Sequence, residues 1–186
     1  QIEGTLTQTD RAYLAAMAEL GLKRVMLSYV ESSDDVEEVQ RLLPGAEVML
    51  KIETQRGLDF AQKHGSSLGR LMAARGDLYV EVLRPHRVVS ALRTIVQADP
   101  QAVVASRIFE SLGYDPVPTS ADIGDVAFLL SLGYRTFMLG DVVCLPAADP
   151  AGSGVRHLLG GSTCLAGDVI GEYRFLRPLR PGDRLA

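Results

Sequence analysis

The sequence contains no tryptophan, and aromatic residues make up only 6% of its 186 residues. Flat side chains on which nucleic-acid bases could stack are therefore scarce, and the basic residues are scattered along a chain of net charge −4. Both features argue against a protein that grips a phosphate backbone. The longest apolar runs, such as 127–132, are too short to span a bilayer. We expect neither a nucleic acid nor a membrane as a partner.

Cysteine is also scarce, since Cys144 and Cys164 are the two in the chain. Two cysteines do not make a disulfide framework, and no charged-then-apolar segment opens the chain, so we expect a cytoplasmic location. The sequence starts at Gln1 without a methionine and stops at Ala186 just after a turn-like Pro-Gly-Asp. We interpret it as a piece of something longer. Its composition, 47% hydrophobic and 23% charged, is that of a globular domain with one core.

Strand and helix patterns alternate along the first part of the chain. We predict strands at 25–30, 48–53, 70–75, 102–106 and 136–139, with a helix before each one. Capping patterns at Thr7, Ser32 and Thr119 begin three of the helices, and Pro85 begins another. Alternating βα units imply parallel strands with right-handed crossovers. Five such strands fit either an open doubly wound sheet or an arc of a (β/α)₈ barrel, and periodicity does not choose between them.

The first helix is predicted to carry an apolar face and to stop at Gly21. The face comprises Tyr13, Leu14, Met17 and Leu20.

The pattern changes from about Leu145 onward. Residues 146–154 are rich in proline, glycine and alanine and are predicted to be a linker. Residues 155–186 have no helical period and alternate short apolar stretches with glycine and proline turns. We therefore predict a barrel-like α/β region over 1–145, a linker over 146–154, and a small β-rich tail over 155–186.

Charged residues follow two neighbouring predicted strands. Lys51 and Glu53 are two residues apart, so both side chains can point to one face, and Asp77 ends the next strand. Neighbouring strands lie about 4.8 Å apart. Two carboxylates at that range repel by about 4 kcal/mol at an effective dielectric near 20. A hard dication such as Mg²⁺ or Mn²⁺ would remove that cost. The alternative is that these are ordinary charged residues paired with Lys51 and Arg75.

Several motifs are similar to the pyruvate kinase family and occur in the family's order. Segment 49–57 (MLKIETQRG) resembles the family's strand ending in Lys-Ile-Glu, and 72–78 (MAARGDL) resembles its MVARGDL signature. Segments 105–111 (ASRIFES) and 116–127 (PVPTSADIGDVA) resemble ATQMLES and PRPTRAExxDVA, while 6–7 (LT) and 27–30 (LSYV) match its LT and LSFV. The resemblance covers about 4–144 and implies the second half of a TIM-type (β/α) barrel.

The resemblance also implies a Mg²⁺-dependent enzyme domain that stabilises an enolate during phosphoryl transfer. Its substrate would be a 2-oxo acid or its phosphoenol form. Glu53 and Asp77 would bind Mg²⁺ or Mn²⁺, and Lys51 would face the transferring phosphoryl group. Five parallel strands would leave two open edges, which we expect a partner chain, the tail or residues outside this chain to cover. We therefore expect a homo-oligomer or part of a larger assembly.

Further residues receive substrate-binding roles from the same resemblance. The backbone at Arg75, Gly76 and Asp77 would bind the substrate carboxylate. Ser106 stands where the family uses a threonine hydroxyl, and it would hold that carboxylate or a catalytic water.

Departures from the family pattern favour a second hypothesis. Tyr79 replaces a glycine beside the metal aspartate, Arg107 replaces a glutamine, and 138–143 (MLGDVV) differs from the family's MLSGET. The family's first half-barrel carries its potassium ligands, a phosphate-binding arginine and much of its nucleotide site, and that half is not seen here. The alternative is a degenerate, non-catalytic scaffold or a fragment of a larger protein.

The tail, about 157–186, resembles a different family. Segment 160–175 (GGSTCLAGDVIGEYRF) is similar to the C-terminal β-domain of decarboxylases that use pyridoxal phosphate (PLP), of the carboxynorspermidine and diaminopimelate types. The resemblance implies Cys164 as a proton donor and Asp168 as a substrate ligand. That chemistry needs a Schiff-base lysine, and none of the chain's three lysines lies in the family's motif. The simpler alternative is a β-hairpin with a buried cysteine.

Overall fold

The structure is a computed structural model that describes residues 6–82, 84–113 and 117–139, together with the backbone of 155–160 and 169–175. Within these residues helices and strands alternate as the sequence predicts. The helices are α1 (Gln8–Glu19), α2 (Ser33–Leu42), α3 (Gln55–His64), α4 (Arg75–Glu81), α5 (Val88–Ala98) and α6 (Ser120–Leu132). The strands are β1 (Arg24–Leu27), β2 (Glu47–Ile52), β3 (Arg70–Ala74), β4 (Val103–Ala105) and β5 (Thr136–Met138).

The five strands form one parallel sheet in the order β1-β2-β3-β4-β5. Each strand therefore pairs with the next one in the chain, and the order never reverses. A doubly wound sheet reverses its strand order at a switch point, whereas a barrel adds each strand on the same side. The sheet is thus an arc of a (β/α) barrel, which confirms the predicted fold class.

The main core lies between the sheet and its covering helices. Leu50 and Ile52 on β2, Leu71 on β3, and Val104 on β4 are fully buried against α2, α3 and α5. The intervening residues of the same strands face the opposite side. There a second, smaller cluster contains Met72, Val103 and Ala105, flanked by Met26, Met49 and Met138.

Helix starts follow the predicted capping chemistry. The Thr7 hydroxyl accepts from the Asp10 amide at 3.2 Å, and Asp10 accepts in return from the Thr7 amide at 2.8 Å. Thr119 begins α6 in the same way, with Asp122 as its partner. Gly133 ends α6 in a left-handed conformation with φ of 117°. The predicted helix starts at Thr7 and Thr119 are confirmed, since each cap joins residues three positions apart and so depends on local sequence.

Other local predictions were wrong. Of the apolar face predicted for α1, Leu14 is buried and Met17 packs against the core, but Tyr13 and Leu20 are 64% and 74% exposed. The predicted face is therefore only partly covered, and Leu20 follows α1 as its C-cap rather than lying within it. Arg75 was expected to end β3, but it begins α4. Pro85 lies in a short 3₁₀ turn, Pro85–Arg87, that precedes α5.

The tail contributes an antiparallel pair of strands, β6 (Val155–Gly160) and β7 (Val169–Phe175). This agrees with the β-rich tail predicted from its pattern. The predicted linker 146–154 lies outside the described residues, as do Cys164 and Asp168. No helix in the described part of the chain has both the length and the apolar character needed to cross a membrane.

Candidate active site at the carboxyl ends of the strands

An ion pair stands at the carboxyl end of β2. The Lys51 ammonium lies 2.8 Å from Oε1 of Glu53, and the two side chains are 16% and 1% exposed. Lys51 pairs in register with Met72 of β3, and Glu53 follows directly after β2. The structure therefore brings these two predicted site residues into contact, in a place where solvent screens their charges little.

The residues just after β1 complete this arrangement. The Ser28 hydroxyl accepts from the Lys51 ammonium at 3.1 Å. The backbone amide of Tyr29 donates to Oε2 of Glu53 at 2.5 Å. Each Glu53 oxygen thus has a protein partner. Neither Ser28 nor Tyr29 was predicted as a site residue, although both follow a buried strand directly, where ligand-binding residues of a barrel lie.

Opposing influences act on the Glu53 carboxyl group. Burial raises its pKa above the ordinary 4.5, and the nearby Asp77 carboxylate adds to that shift. Hydrogen bonds from Lys51 and from the Tyr29 amide oppose it, but the net direction is upward. The charged form of Glu53 is therefore incompletely compensated, and an added cation would stabilise it.

Asp77 lies in the first turn of α4, directly beyond β3. It is half-buried, and its charge is the largest influence that raises the pKa of the Tyr29 phenol, ahead of burial and Glu53. The Asp77 charge thus acts on Glu53, and both carboxylates act on Tyr29.

The donor set at this site consists of two carboxylates. Among the described residues, no group of three or more His, Cys, Asp or Glu side chains could hold a metal ion. A structural zinc ion needs four protein ligands, so the site does not suit it. Mg²⁺ commonly binds through one or two carboxylates and completes its shell with water and substrate oxygens. The residues present fit that mode.

Arg75 is engaged elsewhere. Its Nη1 lies 2.7 and 2.8 Å from the two carboxylate oxygens of Asp125. Its Nε and Nη2 donate to the Ser106 carbonyl at 3.1 and 2.6 Å. Of the alternative that paired the acidic residues with Lys51 and Arg75, the pairing of Lys51 with Glu53 is seen, and the pairing with Arg75 is wrong. Arg75 instead ties the end of β4 to α6.

Ser106 and Gly76 lie side by side. A Cβ placed on Gly76 would lie 3.6 Å from the Ser106 hydroxyl oxygen. Ser106 and Arg107 both adopt left-handed conformations, with φ of 74° and 55°. Such strain in residues other than glycine concentrates at functional sites.

Tyr79, the bulky replacement noted in the sequence, is 55% exposed on α4.

Comparison with known proteins gives a consistent result. The family described as "Pyruvate kinase, barrel domain" matches residues 2–142. Pyruvate kinase from Methylorubrum extorquens is 32% identical over 88% of this chain, and that of Thermoplasma acidophilum is 33% identical over 66%. Pyruvate kinase from Borreliella burgdorferi is 26% identical over 73%. The chain spans 34%, 24% and 30% of the length of these three relatives.

Proposed function

Because the match extends over residues 2–142, this chain belongs to the pyruvate kinase family, and from that premise we propose that its barrel arc binds a divalent metal and a small 2-oxo acid or its phosphoenol form. Glu53 and Asp77 would hold Mg²⁺ or Mn²⁺. The single observation that carries this proposal is the buried Glu53 carboxylate, whose pKa is raised by burial and by Asp77.

The chemistry we propose is stabilisation of an enolate. A metal held by Glu53 and Asp77 would supply positive charge that favours the enolate. The Lys51 ammonium is a second positive charge at the carboxyl ends of the strands. Its contacts with Ser28 and Glu53 fix where the ammonium group points. Positive groups aimed at developing negative charge in a site shielded from water are an effective way to lower a barrier.

Substrate orientation would come from the neighbouring strand ends. The amides of Gly76 and Asp77 belong to the first turn of α4, where backbone N–H groups have no acceptor within the helix. We propose that they and the Ser106 hydroxyl bind the substrate carboxylate. Arg75 contributes through its backbone, since its guanidinium is held by Asp125 and the Ser106 carbonyl.

Exchange of the methyl protons of pyruvate with deuterated water, followed by NMR, tests this chemistry without a nucleotide. We expect exchange in the presence of Mn²⁺ that exceeds the exchange by Mn²⁺ alone and is lost in Lys51→Met. Lys23→Met is a matched control, because the Lys23 ammonium donates to the Pro44 carbonyl near the opposite end of the sheet. Exchange no faster than with the metal alone would contradict an enolate-stabilising site.

A second candidate is a non-catalytic scaffold. It is favoured by one observation: Lys51 and the Tyr29 amide already occupy one oxygen each of Glu53. In that case the ion pair would be a structural element. Thermal stability that does not respond to Mg²⁺ or to phosphoenolpyruvate would support it over the enzyme.

The decarboxylase alternative has less support. The family match ends before Cys164 and Asp168, and these residues lie outside the described part of the chain. A PLP enzyme needs a lysine that is free to form a Schiff base. Lys23 and Lys51 are hydrogen-bonded to protein groups, and Lys63 is exposed on α3. The tail resemblance stays a prediction, as do the cytoplasmic location and the homo-oligomer.

A further inference from the structure

Tyr29 has an unusual backbone for its residue type. It stands two residues beyond β1 with a φ of 53°, in the left-handed region that residues other than glycine rarely occupy. The residues around it are well fixed, since Leu27 and Val30 are 5% and 0% exposed. A strained conformation persists only where its surroundings determine it strongly.

Two backbone contacts explain what this turn achieves. The Val30 amide donates to the Lys51 carbonyl at 3.4 Å, so the chain returns to β2 immediately after Tyr29. The Tyr29 amide does not join the sheet and instead donates to Oε2 of Glu53. The left-handed turn lets the peptide group before Tyr29 face the carboxylate while Val30 keeps its place beside β2.

Orientation of Glu53 depends on this amide. Oε1 is bonded to Lys51, at the end of a long side chain, whereas Oε2 is bonded to a main-chain donor. A hydrogen bond to a charged acceptor is stronger than a neutral one. The amide therefore sets the rotation of the carboxylate plane and which lone pairs of Glu53 remain open.

We propose that Tyr29 is a positioning residue, whose left-handed backbone orients the Glu53 carboxylate for binding of a divalent cation. The contribution comes from the backbone rather than from the phenol, which belongs to a side chain that is 52% exposed. The consequence for cation binding rests on the proposed function. The contact between the amide and the carboxylate does not.

Four substitutions of Tyr29 in the full chain separate backbone from side chain. Gly and Asn accept a left-handed conformation, while Val, which is branched at Cβ, resists it. Phe removes only the phenol oxygen. We expect Tyr29→Val to weaken Mn²⁺ binding by roughly tenfold, measured by electron paramagnetic resonance of free Mn²⁺. Tyr29→Gly, Tyr29→Asn and Tyr29→Phe should stay within about threefold of the parent chain.

The outcomes are distinct. Equal Mn²⁺ affinity in Tyr29→Val and Tyr29→Gly would overturn the proposal, and so would a loss in Tyr29→Phe as large as that in Tyr29→Val. Thermal unfolding of each variant checks that the chain is folded. Should Tyr29→Val not fold, the response of the Tyr29 amide signal to Glu53→Gln decides the matter.

A second measurement needs no metal. In a ¹H–¹⁵N NMR spectrum, the Tyr29 amide proton should resonate far downfield because it donates to a carboxylate. Glu53→Gln makes the acceptor neutral and should move that signal upfield, while Glu47→Gln, at the opposite end of β2, should not. A Tyr29 signal that does not respond to Glu53→Gln would overturn the positioning role. A parent chain that binds no Mn²⁺ would contradict the proposed function, and the amide signal would still decide the contact.

Discussion

The Lys51 ammonium and the Glu53 carboxylate form a 2.8 Å ion pair in which Glu53 is 1% exposed. Removing two charges from water costs free energy that their attraction only partly offsets. Such a pair contributes little to net stability when intact, but loss of one partner leaves the other buried and uncompensated.

Substitution of Lys51 by Met should destabilise the chain by about 3 kcal/mol, because it strands the Glu53 charge. The double variant Lys51→Met with Glu53→Gln should recover most of that loss. Urea unfolding at pH 7 measures both. As a control, Glu47→Gln breaks the exposed pair with Arg24, whose side chains are 88% and 72% exposed, and should cost less than about 0.5 kcal/mol. Similar costs for the two pairs would show that Glu53 is not truly buried.

Stability should also depend on pH through Glu53. Its pKa is raised in the folded chain above the ordinary 4.5, so between these two values the folded form binds the proton more tightly than the unfolded form. The free energy of unfolding therefore falls as pH rises through this window. Relative to Glu53→Gln, the parent chain should lose free energy of unfolding as the pH rises from 4.5. A parent that gains stability relative to Glu53→Gln over that range would contradict the raised pKa.

Gly57 allows a steric test of the contact between α3 and the end of β1. A Cβ at this position would lie 2.9 Å from the Val30 carbonyl oxygen. Gly57→Ala should therefore destabilise the chain by about 1–3 kcal/mol. Gly124→Ala is the matched control, because its added Cβ in α6 would meet no atom within 4 Å apart from its chain neighbours and the backbone of its own helix. There the gain in helix propensity should stabilise by about 0.5–1 kcal/mol. Equal effects at both sites would argue against the close approach.

The sequence predicts the barrel arc and the helix starts better than it predicts the ends of individual strands. The barrel arc could be predicted because the βα alternation and the order of the motifs extend over most of the chain. The helix starts at Thr7 and Thr119 could be predicted because a cap depends on residues close in sequence. The start of α4 was missed, since a short helix that opens on Arg75 and Gly76 has neither a capping residue nor an apolar period.

The site was less predictable than the fold. The pairing of Lys51 with Glu53 follows from their spacing on one strand. The Tyr29 amide and the contact of Arg75 with Asp125 do not, because they depend on backbone angles and on residues 24 and 50 positions away. The exposure of Tyr13 was also missed, because the period of a helix shows which residues share a face but not whether anything covers it.

Apolar side chains at one edge of the sheet lead to a prediction about assembly. On α6, which precedes the edge strand β5, Ile123, Phe128 and Leu130 are 56%, 39% and 41% exposed. Exposed apolar patches and uncovered strand edges favour association. We expect the chain to sediment as a dimer or larger, and Ile123→Ser with Leu130→Ser to shift it toward monomer. Val80→Ser, on α4 away from the edges, should change nothing. A parent chain that stays monomeric at high concentration would refute this.

Titration with Mn²⁺ in the presence of oxalate, which resembles the enolate of pyruvate, tests the central claim most directly. We predict one Mn²⁺ per chain, bound more tightly when oxalate is present, and at least about tenfold weaker binding in both Glu53→Gln and Asp77→Asn. Glu47→Gln should bind as the parent does. Unchanged binding in both site variants, or no binding by the parent chain, would contradict a metal site formed by Glu53 and Asp77.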